Sequence, residues 1–271
     1  MRKYLLAAGA ATLFLGTTGT SLMAQTPEVV AAPEAAEAAP EAPAIRDPQT
    51  LAALDKMGAA LRNLKSFEVR SDTTEERVLT TGQKIQYGGY VEIKAQMPNK
   101  LRVDRINDRQ ARSLYFDGST LTIDSPRIGF YGQVPATGTI RQAAAAVAEN
   151  YDIETPLADL FALGEDPTAA AKIKSAFYVG AETVGGIACD QYAMRQDDVD
   201  WQVWIRQKGE ALPCKVVITS TDDPSMPQHS AVYTWIPQKA HAASVFTFAP
   251  PKGSHKIPLE KKAAAATAAA E

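Results

Sequence analysis

Few side chains in this chain combine the type and the spacing that a metal site or a catalytic group needs. The three histidines, His229, His241 and His255, are far apart in the sequence and lie in polar or loop-like segments. A metal site needs further ligands at a regular spacing, and none flanks these histidines. The motifs of serine hydrolases, nucleotide-binding loops, zinc proteases and dinucleotide-binding folds are also absent from the sequence. We therefore expect surface histidines, no catalytic residue, no metal and no cofactor.

Aspartates cluster in two segments that have turn composition, with Asp197, Asp198 and Asp200 in one and Asp222 and Asp223 in the other. Carboxylate oxygens group in this way around calcium, so a calcium site is one interpretation. The interleaved loop of an EF-hand does not occur, however, and aspartates are common in turns because they hydrogen-bond to the nearby backbone. Ordinary solvated turns are the favoured interpretation.

The two cysteines, Cys189 and Cys214, leave two alternatives open. In an exported protein, an even cysteine count favours a disulfide. The two residues lie on predicted strands that flank the strand containing WQVWIRQ, so a flat sheet would place their backbones about 9 to 10 Å apart. A disulfide needs Cα atoms within about 7 Å, which strong twist of the sheet would allow. Otherwise, the two residues are buried thiols.

The first 24 residues have the layout of a cleavable signal peptide. Arg2 and Lys3 precede an uncharged stretch over residues 4–15, and small residues lead to Ala24. The apolar stretch is shorter than the roughly 20 residues of a membrane span, so we expect export without stable membrane insertion. No cysteine lies at the expected cleavage site, so no lipid anchor is predicted there. These features predict a periplasmic protein.

The composition divides the remaining chain into three parts. Residues 25–47 are rich in Ala, Pro and Glu and predict a flexible linker, and residues 259–271 predict an Ala-rich disordered or frayed tail. Residues 48–258 fit a single domain. Removing residues 1–24 would take the formal net charge from -3 to about -5. This acidic balance argues against nucleic acid and against an anionic membrane surface as partners.

The hydrophobic pattern changes along the domain from helical to strand-like. Asp47 and Pro48 start a predicted helix whose apolar residues recur three and four apart up to Leu64. Residues 84–97 then alternate strictly between apolar and polar, which indicates a strand with one buried and one wet face. Gly88 and Gly89 inside that strand predict a bulge or a sharp bend.

The predicted order is one helix, six strands, two or three helices and five strands. Three helical segments are expected between the strand groups, at residues 139–150, 155–164 and 166–172. Runs of strands with inserted helices indicate an α+β fold in which helices cover one face of a single antiparallel sheet.

Four segments resemble a known family: SLYFDGSTLTIDSP, GAETVGGIACDQYAM, DWQVWIRQKGEALPCKVVIT and VFTFAPPKG. They are similar to predicted periplasmic proteins of a domain-of-unknown-function family whose fold is like that of the LolA/LolB lipoprotein carriers. The resemblance covers residues 51–256. It implies a strongly curved, unclosed half-barrel of about eleven antiparallel strands, covered by a lid of short helices. It also implies an apolar cavity between sheet and lid.

The candidate ligand-binding residues are the apolar and aromatic side chains expected to face this cavity. Such a cavity suits an acyl or aromatic ligand. The alternative is that the same residues fill a closed core. The candidates are Tyr90, Trp201, Val203 and Ile205 from the sheet and Val147, Leu157, Leu160 and Phe161 from the lid. Trp201 and Trp204 are expected on opposite faces of one strand, so they cannot share one role.

Three functions stay open. The first is a periplasmic protein that binds a hydrophobic, acyl or lipid-like ligand. The second is an interaction module that docks an envelope protein partner through an open sheet edge or the linker, without a small-molecule ligand. The third is an enzyme, which would need a cleft with converging polar groups of shifted pKa. The volume and lining of any cavity beneath the helices distinguish these alternatives.

Overall fold

The structure is a computed structural model that describes residues 45–151, 171–237 and 240–261. The described residues all belong to one compact unit. Within these residues, the predicted order of a helix, six strands, a helix and five strands is confirmed, with a short strand added after the eleventh. The elements are α1 (Pro48–Asn63), β1 (Ser66–Val78), β2 (Lys84–Gln96), β3 (Lys100–Ile106), β4 (Ala111–Phe116), β5 (Thr120–Ser125), β6 (Phe130–Pro135), α2 (Ile140–Tyr151), β7 (Ser175–Val184), β8 (Ile187–Arg195), β9 (Val199–Arg206), β10 (Pro213–Ser220), β11 (Gln228–Pro237), a 3-10 turn (Ala243–Val245) and β12 (His255–Lys256).

The twelve strands of the described residues belong to one sheet in the order β12-β6-β5-β4-β3-β2-β1-β11-β10-β9-β8-β7. Neighbouring strands are antiparallel except β12 and β6, which run parallel. The order is linear, so β12 and β7 are edges and the half-barrel is not closed. The predicted half-barrel with a helical lid is confirmed.

Helix α1 begins where the sequence predicts. The Asp47 carboxylate accepts hydrogen bonds from the backbone N–H groups of Gln49 and Thr50, both at 3.1 Å. It therefore satisfies donors that the first helical turn cannot pair internally. Pro48 follows as the first helical residue, a position that lacks an N–H partner in any case. The helix buries Leu54, Met57 and Leu61 along one side.

That side of α1 packs on one face of the sheet, which we call the inner face. Because side chains alternate along a strand, β1 turns Phe67 and Val69 to this face and β2 turns Val91 and Ile93 to it. Residues of α1, α2 and the inner face together form the main hydrophobic cluster. The opposite side of the sheet, the outer face, exposes Arg70 and other polar residues of β1 and β2. Burial of the inner face is thus the main source of stability.

The predicted bulge at Gly88 and Gly89 is wrong. Strand β2 pairs with β1 without a shift of register through both glycines. A Cβ atom on Gly89 would lie 3.0 Å from the Thr73 hydroxyl, so the missing side chain permits close contact between the two strands. Register shifts occur elsewhere, at Tyr178/Gly180 in β7 and at Pro213/Lys215 in β10.

Cys189 and Cys214 form a disulfide across β9, with their Cα atoms 6.9 Å apart. The separation expected from a flat sheet is wrong because β10 is not regular at this point. Pro213 pairs with Ile205 and Lys215 pairs with Trp204, which makes Cys214 the extra residue of a bulge. A bulge bends its strand and increases local twist, which brings Cys214 toward β8.

The C-terminal segment wraps around the β6 edge. On the outer face, the Phe248 ring lies 5.4 Å from the Tyr115 ring and 4.9 Å from the Tyr131 ring, measured between centroids. Strand β12 then pairs with β6. Beyond it, Leu259 packs against the main hydrophobic cluster, although the sequence predicts that the tail starts at this residue. The segment therefore covers one of the two open edges of the sheet.

We expect Gly132→Ala to destabilise the protein because Leu259 occupies the space that a side chain at Gly132 would need. A Cβ atom there would lie 2.5 Å from the Leu259 Cγ atom. Such overpacking costs about 1–3 kcal/mol. The effect should nearly disappear in a Leu259→Ala background, which urea unfolding of the wild type, both single variants and the double variant would measure. An equal cost of Gly132→Ala in both backgrounds would contradict this packing.

Candidate functional site

The structure brings four of the predicted ligand-binding residues together. Trp201, Val203 and Ile205 lie on the inner face of β9, and Val147 of α2 lies in the same hydrophobic cluster. Val203 has no exposed surface and Trp201 retains 8% of its own. Their positions satisfy both interpretations, since a closed core and the wall of an acyl site require the same side chains at the same face.

Tyr90 does not join these residues. It alternates with Val91 on β2, so its side chain lies on the outer face with Glu92 and Lys94. The grouping of Tyr90 with Trp201, Val203 and Ile205 is wrong because the register places them on opposite sides of the sheet. The other lid candidates lie outside the described residues; they are Leu157, Leu160 and Phe161. The same holds for the predicted helix at residues 155–164 and for nearly all of the one at residues 166–172.

The two tryptophans of β9 have separate environments. Trp204 lies on the outer face in a second, small cluster with the Cys189–Cys214 disulfide and Val184. Its indole N–H donates to a Glu182 carboxylate oxygen, and the Lys215 ammonium lies 4.4 Å from its ring centroid. Trp204 thus anchors the outer side of the strand, whereas Trp201 faces the helices.

One cavity of about 330 Å³ lies where four neighbouring strands begin or end, and we call it the end pocket. Strands β1 and β10 begin there, β9 and β11 end there, and α1 ends above it. Its apolar lining includes Phe67, Trp235 and Leu212, which belong to the main hydrophobic cluster or pack against it. The lining is Asn63, Leu64, Lys65, Ser66, Phe67, Arg206, Glu210, Leu212, Trp235 and Ile236.

The end pocket contains two polar atoms that are shielded from solvent and have no hydrogen-bond partner in the described structure. They are the Ser66 hydroxyl oxygen and the Arg206 Nε atom. The Trp235 indole N–H is satisfied, since it donates to the Pro213 carbonyl at 2.8 Å. Buried donors without partners are rare in folded proteins and mark positions where a partner group fits.

The sequence did not predict the end pocket. Arg206 ends the WQVWIRQ strand and Ser66 follows α1, and no short motif joins them. The residues meet only because β9, β10, β11 and β1 are neighbours in the sheet. The sequence offered only an indirect indication. Arg206 is the last residue of its strand, and by alternation with Ile205 it belongs to the outer face.

A charged cluster occupies the far end of the inner face, at the C-terminal half of β1. The Glu75 carboxylate contacts the Arg105 guanidinium at 2.6 Å and the Arg77 Nε atom at 3.1 Å. Burial alone would raise the pKa of Glu75, but the two arginines hold it below its ordinary value. His229 lies opposite Glu75 on β11, and burial lowers the pKa of its imidazole. Because both Glu75 oxygens accept from arginines, the cluster is a structural ion-pair network rather than a free general base.

The remaining histidines lie apart from this cluster. The His241 Nε2 atom lies 3.0 Å from the Phe67 carbonyl oxygen, and the His255 ring contacts the Phe130 ring. No group of three or more metal-ligating side chains occurs in residues 45–151, 171–237 and 240–261. In the same ranges, no helix has the length and hydropathy that crossing a bilayer takes.

Several solved structures are similar to this chain at low identity. LprF from Mycobacterium bovis is 14% identical over 72% of this chain and 99% of its own, with a TM-score of 0.42. A LolA superfamily protein from Nitrosomonas europaea is 10% identical over 73% and 97%, with a TM-score of 0.37. In the complex of Pseudomonas aeruginosa MucA/MucB, the match is 14% identical over 74% and 63%, with a TM-score of 0.39. No curated protein matches the sequence.

The family model described as "Predicted periplasmic protein (DUF2092)" matches residues 50–260. The chain therefore belongs to this family, and its compartment is the periplasm. Both the resemblance and the localisation expected from the sequence are confirmed.

We expect His229 to make stability depend on pH. Because burial lowers its pKa in the folded state, the unfolded chain binds a proton first as pH falls below about 6.5, and stability is lost in that direction. The pKa of Glu75 is also lowered in the folded state. Glu75 therefore adds a further loss of stability only near and below its ordinary pKa of 4.5. His229→Gln should flatten the loss of unfolding free energy between about pH 7.5 and 5.5, measured by urea unfolding. The matched variant at exposed His255, His255→Gln, should keep the wild-type slope, and an unchanged slope in His229→Gln would contradict the assignment.

Proposed function

We propose that this periplasmic protein binds a hydrophobic ligand with an acyl or lipid-like chain between the helices and the inner face, without catalysing a reaction on it. The observation that carries this proposal is the end pocket, whose apolar lining is continuous with the hydrophobic cluster beneath α1. A preformed pocket that combines apolar walls with polar groups is a usual arrangement for binding an amphiphilic small molecule.

The chain of the ligand would contact Val147 from α2 and Trp201, Val203 and Ile205 from β9. The other candidates predicted from the sequence, Leu157, Leu160 and Phe161, lie outside the described residues. Two further buried polar atoms on the inner face support a site rather than a fully satisfied core. The Ser71 hydroxyl oxygen and the Trp201 indole nitrogen have no hydrogen-bond partner in the described part of the chain.

The two tryptophans of β9 allow a direct test, because they report on opposite faces of the same strand. In Trp204→Phe/Trp235→Phe, only the inner-face Trp201 remains; in Trp201→Phe/Trp235→Phe, only the outer-face Trp204 remains. A brominated fatty acid quenches tryptophan at short range. We expect saturable quenching of Trp201 by at least about half and little change for Trp204, since a ligand in the site would contact only the inner face.

Two controls separate binding from adsorption and unfolding. The non-brominated fatty acid should displace the quencher, and circular dichroism should show that both variants keep the fold. Equal quenching of the two tryptophans, or none of Trp201 at saturation of the solution, would contradict the proposal. Mass spectrometry of a lipid extract from the purified protein would then identify any ligand that is retained.

A second function, docking of an envelope protein, is favoured by one specific feature. Edge strand β7 exposes Phe177, Tyr178 and Val179, which retain 43%, 48% and 48% of their surfaces. The first part of β7 already accepts an added strand: the Asp47 N–H donates to the Ala176 carbonyl, and the Ala176 N–H donates to the Ile45 carbonyl. An extended partner segment adding to the rest of the edge would use the same backbone bonds.

Photo-crosslinking in cells tests docking at this edge. A photoreactive residue at Val179 should give a discrete, light-dependent adduct if a partner strand binds β7. The same residue at exposed Ile128, in the turn between β5 and β6, is the control and should give none. Indistinguishable patterns at the two positions would argue against docking at β7.

A further inference from the structure

The charged side chains that line the end pocket carry a net positive charge. Arg206 and Lys65 contribute two positive charges to the lining, and Glu210 contributes one negative charge. In the described structure, neither cation forms an ion pair with Glu210. The pocket therefore has a net positive charge, in contrast to the negative charge of the whole chain.

The two buried polar atoms without partners in the end pocket both belong to hydrogen-bond donors. A guanidinium offers several N–H donors in one plane, and the Nε donor of Arg206 is buried without an acceptor. The Ser66 hydroxyl is a second buried donor in the same lining. Anionic oxygens are the groups that pair best with such donors, because a charged acceptor strengthens each hydrogen bond.

The partial negative charge at the C-terminal end of α1 does not remove the preference of the pocket for an anion. The last carbonyls of a helix carry partial negative charge, which would repel an anion near Asn63 and Leu64. Arg62, in the last turn of α1, lies where a cation offsets that charge. Lys65 follows directly after the helix and adds to the same effect.

We propose that the end pocket binds the anionic head group, a carboxylate or a phosphate, of an amphiphile. This inference rests on the proposed function, because the apolar chain of that amphiphile would extend from the pocket toward the hydrophobic cluster beneath α1. Arg206 provides the main charged contact, with Ser66 and Lys65 beside it. Phe67, Leu212 and Trp235 surround the first part of the apolar chain.

Three probes with the same chain separate the head group from the chain: laurate, dodecyl phosphate and dodecanol. Arg206→Gln keeps a side chain of polar character but removes the charge. It should weaken the binding of laurate or dodecyl phosphate at least about tenfold, as expected for a lost hydrogen bond to a charged group, and leave dodecanol within about twofold. Titration calorimetry measures all three. Whichever anionic probe binds the wild type more tightly identifies the head group as carboxylate or phosphate.

Arg112→Gln is the matched control, because Arg112 is an exposed arginine on β4, far along the sheet from β9. It should leave all three probes within about twofold of wild type, by the same calorimetry. Lys65→Gln gives a second test should Arg206→Gln fail to fold, and it should also weaken the anionic probes selectively. Circular dichroism and thermal unfolding check each variant.

The outcomes distinguish this inference from the proposed function. Dodecanol binding with unchanged anion affinity in both Arg206→Gln and Lys65→Gln would overturn the head-group site and leave the hydrophobic site intact. Loss of all three probes equally in a folded Arg206→Gln would also overturn it, since the effect would not depend on charge. Binding of none of the probes to the wild-type protein would overturn both.

Discussion

Keeping one face of a long sheet away from water is the constraint on which the rest of this structure depends. Val69 of β1 and Val203 of β9 are distant in sequence, yet both lie fully buried on the inner face. Side chains alternate with period two, so a one-residue slip of either strand would turn its apolar set toward solvent. Helices α1 and α2 bury this face in one continuous hydrophobic cluster. The register of the sheet and the position of the helices therefore determine each other.

Along β1, the side chains on the inner face change from apolar to charged. Phe67 and Val69 are part of the apolar core, whereas Glu75 and Arg77 lie further along the same face. Charges that are even partly withdrawn from water are costly unless they are paired. The contact between Glu75 and Arg105 provides that pairing, with the two groups coming from different strands. The two arginines account for the lowered pKa of Glu75, and burial accounts for the lowered pKa of His229.

Local patterns predicted the elements well because each element depends on neighbouring residues. The Asp47 cap and the spacing of Leu54, Met57 and Leu61 define α1 within one segment of chain. Errors arose where a result depends on several strands together. The bulge at Cys214 altered a distance estimated from flat geometry. The face of the sheet that the helices cover, and hence the side on which Tyr90 lies, also cannot be derived from one strand.

The end pocket is the clearest case of this dependence on several strands, because four neighbouring strands begin or end there. An unclosed sheet has two edges as well as strand ends, and the structure treats them differently. Leu259 and β12 cover the β6 edge, and residues 45–47 pair with only the start of β7. At the end of β9 and the start of β1, by contrast, buried donors on Arg206 and Ser66 have no partner in the described structure. Each such atom costs about 1–3 kcal/mol, a cost that packing of the inner face must offset. Packing of the apolar face thus offsets the cost of the polar groups that lack partners at the strand ends.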